Sequence, residues 1–131
     1  MKTLIVEDDF TSRLLMQELL KKYGSSHIAV DGREAVEAVR LSLQANEPYD
    51  LICLDIMMPT MDGHQALKEI RALEEARGIF SSDGAKIIMT TALDDIQNKI
   101  NAFSNLCDGY LNKPIDKEQL LDELRSLELI S

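Results

Sequence analysis

Five short apolar runs, each followed by a longer stretch with helical spacing, constrain this chain more than any other feature of its sequence. The runs are Leu4-Ile5-Val6, His27-Ile28-Ala29-Val30, Leu51-Ile52-Cys53-Leu54, Lys86-Ile87-Ile88-Met89 and Gly109-Tyr110-Leu111. Consecutive apolar, β-branched residues over so few positions fit strands covered on both faces. Between them, apolar residues recur every three or four positions, the spacing of amphipathic helices. Phe10, Leu14, Leu15, Leu19, Leu20 and Tyr23 make the first stripe over 10–23, with Gly24 as a stop, and Ala35, Val36, Val39 and Leu43 make the second over 33–46. Ala66, Leu67, Ile70 and Leu73 mark a third over 63–77, and Ile96, Ile100 and Phe103 a fourth over 94–105. Leu120, Leu121, Leu124 and Leu127 close the series over 116–129. Five such units predict an α/β domain with a parallel sheet, right-handed crossovers and helices on both faces.

That alternation uses up the 131 residues, so a single domain over 1–131 is expected, without repeats or low-complexity segments. The longest connection, "GIFSSDGA" at 78–85, reads as a solvent-exposed loop. No apolar run approaches the roughly 18 residues of a membrane span, and Met1-Lys2-Thr3 shows no cleavage-site pattern. The chain is therefore expected away from membranes, in the cytoplasm. Cys53 and Cys107 are too few for a disulfide framework and read as reduced thiols. With 14 basic against 23 acidic residues the net charge is −9, which argues against a nucleic-acid surface.

The ligand site of an open α/β sheet lies outside the carboxyl ends of its strands. Strand 1 ends in Glu7-Asp8-Asp9, strand 3 in Asp55, strand 4 in Thr90-Thr91, and strand 5 runs into Asn112-Lys113-Pro114. Asp55 is the odd member: a carboxylate after four apolar residues costs free energy when buried without a partner. Clustered carboxylates repel one another and attract a cation. Hard oxygen ligands with room for water suit Mg²⁺, which usually takes one or two carboxylates plus a phosphate. Beside such a cation and Lys113, an ionised Asp55 can attack phosphorus, with a strand-4 hydroxyl, Thr90 or Thr91, on the phosphoryl oxygens. Asp9, just before Phe10, reads as the cap of the first helix rather than a metal ligand.

In "LIVEDD", "DIMMPTMDG", Thr91-Ala92 and "DGYLNKPI", in this order and spacing, the chain resembles the receiver domains of response regulators, of the chemotaxis-regulator type, over residues 2–130. The resemblance implies a flavodoxin-like, doubly wound five-stranded sheet in the order 2-1-3-4-5 with five helices. It implies that Asp55 is phosphorylated by a histidine kinase or a histidine phosphotransfer protein. Asp8, Asp55 and the backbone carbonyl of Met57 would hold Mg²⁺, with Glu7 acting through water. It selects Thr91 as the switch hydroxyl, Tyr110 as the switch aromatic and Lys113 as the phosphate-contacting ammonium, with a cis Lys113–Pro114 bond. A target protein would read the 4-5-5 face, made of the fourth helix (94–105), the fifth strand (109–111) and the fifth helix (116–129). Met57 and Leu93, two residues after Asp55 and Thr91, would border the path of the water that hydrolyses the acyl phosphate. Neither can orient that water, so a long-lived phospho-form is implied. Leu106 departs from the family, which commonly has Gly there; Asn105 is the alternative turn residue.

Two other functions are weighed. A phosphatase-type hydrolase with an aspartate nucleophile would usually carry a second Asp two residues on, where Met57 stands. A chemically inert flavodoxin-like binding module would not need the full set of Glu7, Asp8, Asp55, Thr91 and Lys113. The expected protein is a signalling switch that catalyses only its own phosphorylation and dephosphorylation. His27 and His64 lack ligand spacing, and Met57, Met58 and Met61 read as loop packing.

Overall fold

The computed structural model of the chain describes residues 1–58, 61–80, 83–91 and 106–131. Its strands are β1 (Thr3–Val6), β2 (Ser26–Ala29), β3 (Leu51–Asp55), β4 (Lys86–Thr91) and β5 (Gly109–Asn112). All pair in parallel, in the order β2-β1-β3-β4-β5. Among the described residues the helices are α1 (Phe10–Leu20), α2 (Gly32–Gln44), α3 (Gly63–Ala76) and α4 (Lys117–Ser126). The helix expected over 94–105 lies outside the described residues, as do Leu93 and Asn105.

Alternation along the strands divides the core into two layers. Leu4, Val6, Ile52, Leu54, Ile87 and Met89 face α2 and α3, meeting Ala35, Val39, Leu43, Ala66, Leu67 and Ile70. Ile5, Leu51, Cys53, Ile88 and Leu111 face α1 and α4, meeting Met16, Leu20, Leu120, Leu121 and Leu124. Each of the four described helices starts on an aspartate cap: Asp9, Asp31, Asp62 and Asp116 accept from the backbone N–H of Ser12, Glu34, Gln65 and Gln119 at 2.9, 2.9, 2.9 and 3.0 Å. Each such cap contributes about 1 kcal/mol. Part of the acidic excess is therefore structural.

Three expectations need correction. The first helix ends at Leu20 and tightens into a 3₁₀ turn over Lys21–Tyr23 rather than running to 23. Its buried residues are Met16 and Leu20, with Leu19 and Tyr23 packed beside them, whereas Phe10, Leu14 and Leu15 are 65%, 46% and 41% exposed. With 3.6 residues per turn, Phe10 and Leu14 stand far round the helix from Met16, so the six-residue stripe was too wide for one sheet-facing side. β2 is not covered on both faces: it is an edge strand, and His27 and Ile28 are exposed. Finally, Met57 is exposed rather than packed, while Met61 is buried and Met58 packs against the core.

Two clusters lie away from the carboxyl edge. Where β1 begins, His27 and Tyr49 meet edge-on with ring centroids 5.5 Å apart, joined by a 2.8 Å bond between His27 Nδ1 and the Tyr49 hydroxyl. Lys2 Nζ sits 4.6 Å from the Tyr49 ring centroid. On α3, the buried Arg71 guanidinium donates to Leu106 O at 2.8 Å, Glu74 Oε1 at 2.7 Å, Ala85 O at 2.9 Å and Asp108 Oδ2 at 3.1 Å. Glu74 Oε2 accepts from Ala85 N and Asp108 Oδ2 from Ile87 N, both at 2.8 Å. Leu106, the departure from the family pattern, is tied into this clasp, while the alternative turn residue Asn105 lies outside the described residues. Among the described residues only Asn46 and Glu128 have positive φ outside glycine, so Leu106 makes no left-handed turn and its carbonyl is held by Arg71.

Candidate functional site

The pairings Val6↔Leu54, Asp55↔Thr90 and Thr91↔Asn112 bring the last residues of four strands to one edge. The ladder continues past the strands: Ile56 N donates to Thr90 O at 3.0 Å and Lys113 N to Thr91 O at 2.8 Å. α3 starts directly against this edge, because Gly63 N donates to Ile56 O at 2.9 Å. A Cβ on Gly63 would fall 2.4 Å from Asp55 O, so only glycine permits that approach.

Asp55 is 2% exposed and Glu7 4%. Lys113 Nζ lies between them, 2.6 Å from Glu7 Oε1 and 3.3 Å from Asp55 Oδ2. Asp55 Oδ1 accepts from Met57 N at 3.3 Å, and Glu7 Oε2 from Asp9 N at 3.2 Å. Burial first, then hydrogen bonding and repulsion from Glu7, push the Asp55 carboxyl up to about 7 against the pull of Lys113. Burial lowers Lys113, but Glu7 and Asp55 outweigh it and its pKa ends above the ordinary value.

Asp8 completes the cluster from the exposed side. One carboxylate oxygen each from Glu7, Asp8 and Asp55 lies within 4.8 Å of the others. Three carboxylates against one ammonium leave negative charge in excess, and all the donors are hard oxygens. The set fits a small divalent cation that keeps some of its water. Asp9 stays outside it and serves as the α1 cap.

Both strand-4 threonines are buried. Thr90 is the register partner of Asp55, and Thr91 is the one whose Oγ1 has no hydrogen-bond partner. Asn112, the register partner of Thr91, carries a second unpartnered buried atom, Oδ1. Tyr110 is half-buried, packed against the core layer of Ile87 and Met89. Burial first, then the Cys107 thiol beside it, raise its phenol above the ordinary value. The Lys113–Pro114 bond is cis. Met57 stands next to the pocket, 62% exposed.

One pocket residue escaped the sequence reading. Arg13, on the first turn of α1, donates through Nη1 to Glu7 O at 3.2 Å and Asp8 O at 3.1 Å, with its guanidinium carbon 5.6 Å from the Phe10 ring centroid. Its only sequence signal was a cation within one helical turn of an acidic loop.

A five-stranded parallel sheet with helices on both faces and a charged site at its carboxyl edge defines a flavodoxin-like α/β domain. Within that class the chain belongs to the response regulator receiver domain family, whose model matches residues 3–125. Receiver domains are signalling switches of two-component and phosphorelay systems. The chain is 37% identical to the sensor protein GacS of Pseudomonas syringae pv. syringae over 120 residues, 91% of this chain and 12% of GacS. The first curated relatives are much longer; the chain spans 12% of one and 49% of the next. Among solved structures, a mutant receiver domain of the histidine kinase CKI1 from Arabidopsis thaliana superposes with a TM-score of 0.84 at 29% identity, covering 97% of this chain and 89% of that one. The receiver domain of the sensor histidine kinase PA1611 from Pseudomonas aeruginosa superposes with a TM-score of 0.75 at 27% identity, covering 97% of each chain, and holds a magnesium ion in its active-site cleft. Among the described residues, no helix is long and apolar enough to cross a membrane.

Proposed function

We propose that residues 1–131 form one receiver domain in which Asp55 accepts a phosphoryl group from the phosphohistidine of a histidine kinase or phosphotransfer protein in the cytoplasm. The observation that carries this reading is Lys113 Nζ held at 2.6 Å from Glu7 and 3.3 Å from Asp55, with Asp8 completing the acidic cluster. Asp8, Asp55 and the Met57 carbonyl would hold Mg²⁺, with Glu7 reaching it through water. When bound, Mg²⁺ supplies positive charge to the phosphoryl oxygens and favours ionised Asp55. An Asp55 oxygen attacks phosphorus, the bond from phosphorus to the donor imidazole nitrogen breaks, and that nitrogen keeps the electron pair. Lys113 neutralises the phosphoryl oxygens, and the unpartnered Thr91 hydroxyl hydrogen-bonds one of them.

The signal leaves when Thr91 turns inward and Tyr110 follows, altering the 4-5-5 face on which a target protein binds. The chain is on this reading a switch rather than an enzyme acting on other molecules. Met57 cannot transfer a proton, so the residue a hydrolase would use as its acid is missing. The exposed Phe10, Leu14 and Leu15 beside the acidic loop favour a protein as donor.

Mass spectrometry after incubation with Mg²⁺ and acetyl phosphate or phosphoramidate tests the proposal. A stoichiometric adduct that survives acid and is lost in alkali, absent from Asp55→Asn, is expected. An equal adduct on Asp55→Asn would refute the assignment.

A further inference from the structure

We propose that Arg13 is a positioning residue for the metal pocket, holding the loop that aims the Asp8 carboxylate. The inference rests on the reading of Glu7, Asp8 and Asp55 as a Mg²⁺ site. Within that cluster the three carboxylates are steered differently. Asp55 is fixed by Met57 N and Lys113, and Glu7 by Lys113 and Asp9 N. Asp8 is exposed, and none of the described side-chain hydrogen bonds or ion pairs involves its carboxylate, so the backbone that carries it sets its direction.

That backbone is held from both sides. Glu7 N is tied to β2 through Ala29 O at 3.0 Å. On the other side a single Arg13 nitrogen takes the carbonyls of Glu7 and Asp8, at 3.2 and 3.1 Å. Arg13 is half-buried with its guanidinium over the Phe10 ring, and its backbone N–H donates to Asp9 O at 3.0 Å, fixing the start of the side chain to the same turn. Arg13 thus ties the acidic loop to the first turn of α1 without touching a carboxylate of the cluster. Residues that orient ligands in this indirect way commonly change metal affinity by roughly 10–100-fold when removed.

Charge alone predicts the opposite sign. Arg13 is a cation near a cation site, so deleting its charge should tighten Mg²⁺ binding if electrostatics dominated. A positioning role makes deletion weaken it. Calorimetric titration of the unphosphorylated protein with Mg²⁺ alone, beside thermal melts without metal, separates the two. Arg13→Met, which keeps an apolar stem over Phe10 but has no donor, should bind Mg²⁺ roughly tenfold more weakly or worse. Arg13→Lys keeps the charge but loses the planar fork, and should fall between that variant and wild type. If Arg13→Met does not fold, Arg13→Lys decides alone, and affinity equal to wild type overturns the proposal. Unchanged or tighter binding by Arg13→Met overturns it too, even with a lowered melting temperature, because Arg13 would then be structural only. Wild type that does not bind Mg²⁺ removes the metal site itself, and the positioning role with it.

Discussion

Asp55 is where the residue scale matters most. Its carboxyl is raised from 3.8 to about 7 by burial and by Glu7. The folded chain therefore holds this proton more tightly than the unfolded chain does. The resulting stability is fully present below the unfolded value and is lost as pH rises through about 7. Asp55→Asn, which never ionises, should melt at the same temperature as wild type near pH 4 in metal-free buffer and progressively higher than wild type up to pH 8. A gap that does not widen with pH would mean that Glu7 and Lys113 already balance the charge. Met57, exposed beside the pocket, is expected to leave hydrolytic water unoriented. Met57→Asn should speed decay of the phospho-form, by up to about tenfold if it recovers ~1.4 kcal/mol of barrier; the rate is read by following loss of the adduct with time. The gathering of the acids and Lys113 at one edge was legible in the sequence because it needs only a position at a strand end. Arg13 was not, because a guanidinium that bonds backbone carbonyls leaves no trace in residue type or spacing.

At the scale of elements, α1 and the Arg71 clasp show what patterning leaves out. Periodicity found the α1 helix but put Phe10, Leu14 and Leu15 in one stripe with the buried Leu20, since apolar spacing alone does not say which residues have a sheet in front of them. Their exposure supports a donor-docking face. Leu14→Glu should slow transfer from a protein phosphodonor about fivefold or more, the equivalent of about 1 kcal/mol, while labelling by acetyl phosphate is unchanged. Equal slowing with both donors would place the defect in the pocket. Arg71 is 7% exposed and joins α3 to the segments entering β4 and β5. Arg71→Met leaves Glu74 buried and Asp108 partly buried without their cation, which should cost about 3–5 kcal/mol in denaturant unfolding. Nothing in the sequence singled Arg71 out: three of its four partners are distant along the chain, and two are carbonyls.

For the molecule as a whole, sheet order and layering were the most legible features, because five apolar runs separated by helices leave few parallel arrangements to choose from. Coverage of β2 was not legible, since an edge position follows from the order of strands in space rather than from the run itself. Phosphorylation should change amide exchange along Gly109–Asn112 and leave Ser26–Ala29 unaffected, because β5 and β2 are opposite margins of one sheet. The pairing of Tyr49 with His27 and Lys2 has a spectroscopic consequence. The chain has no Trp and three Tyr, so its near-ultraviolet signal is dominated by phenol rings. Tyr49 is fixed where β1 begins, and Tyr23 lies in the 3₁₀ turn after α1, neither of them on β5. With fluorotyrosine incorporated, the ¹⁹F spectrum should show two stationary lines as internal standards and one line, from Tyr110, that shifts with the state of Asp55. Such a line would be a built-in probe of the proposed switch, readable without attaching a dye.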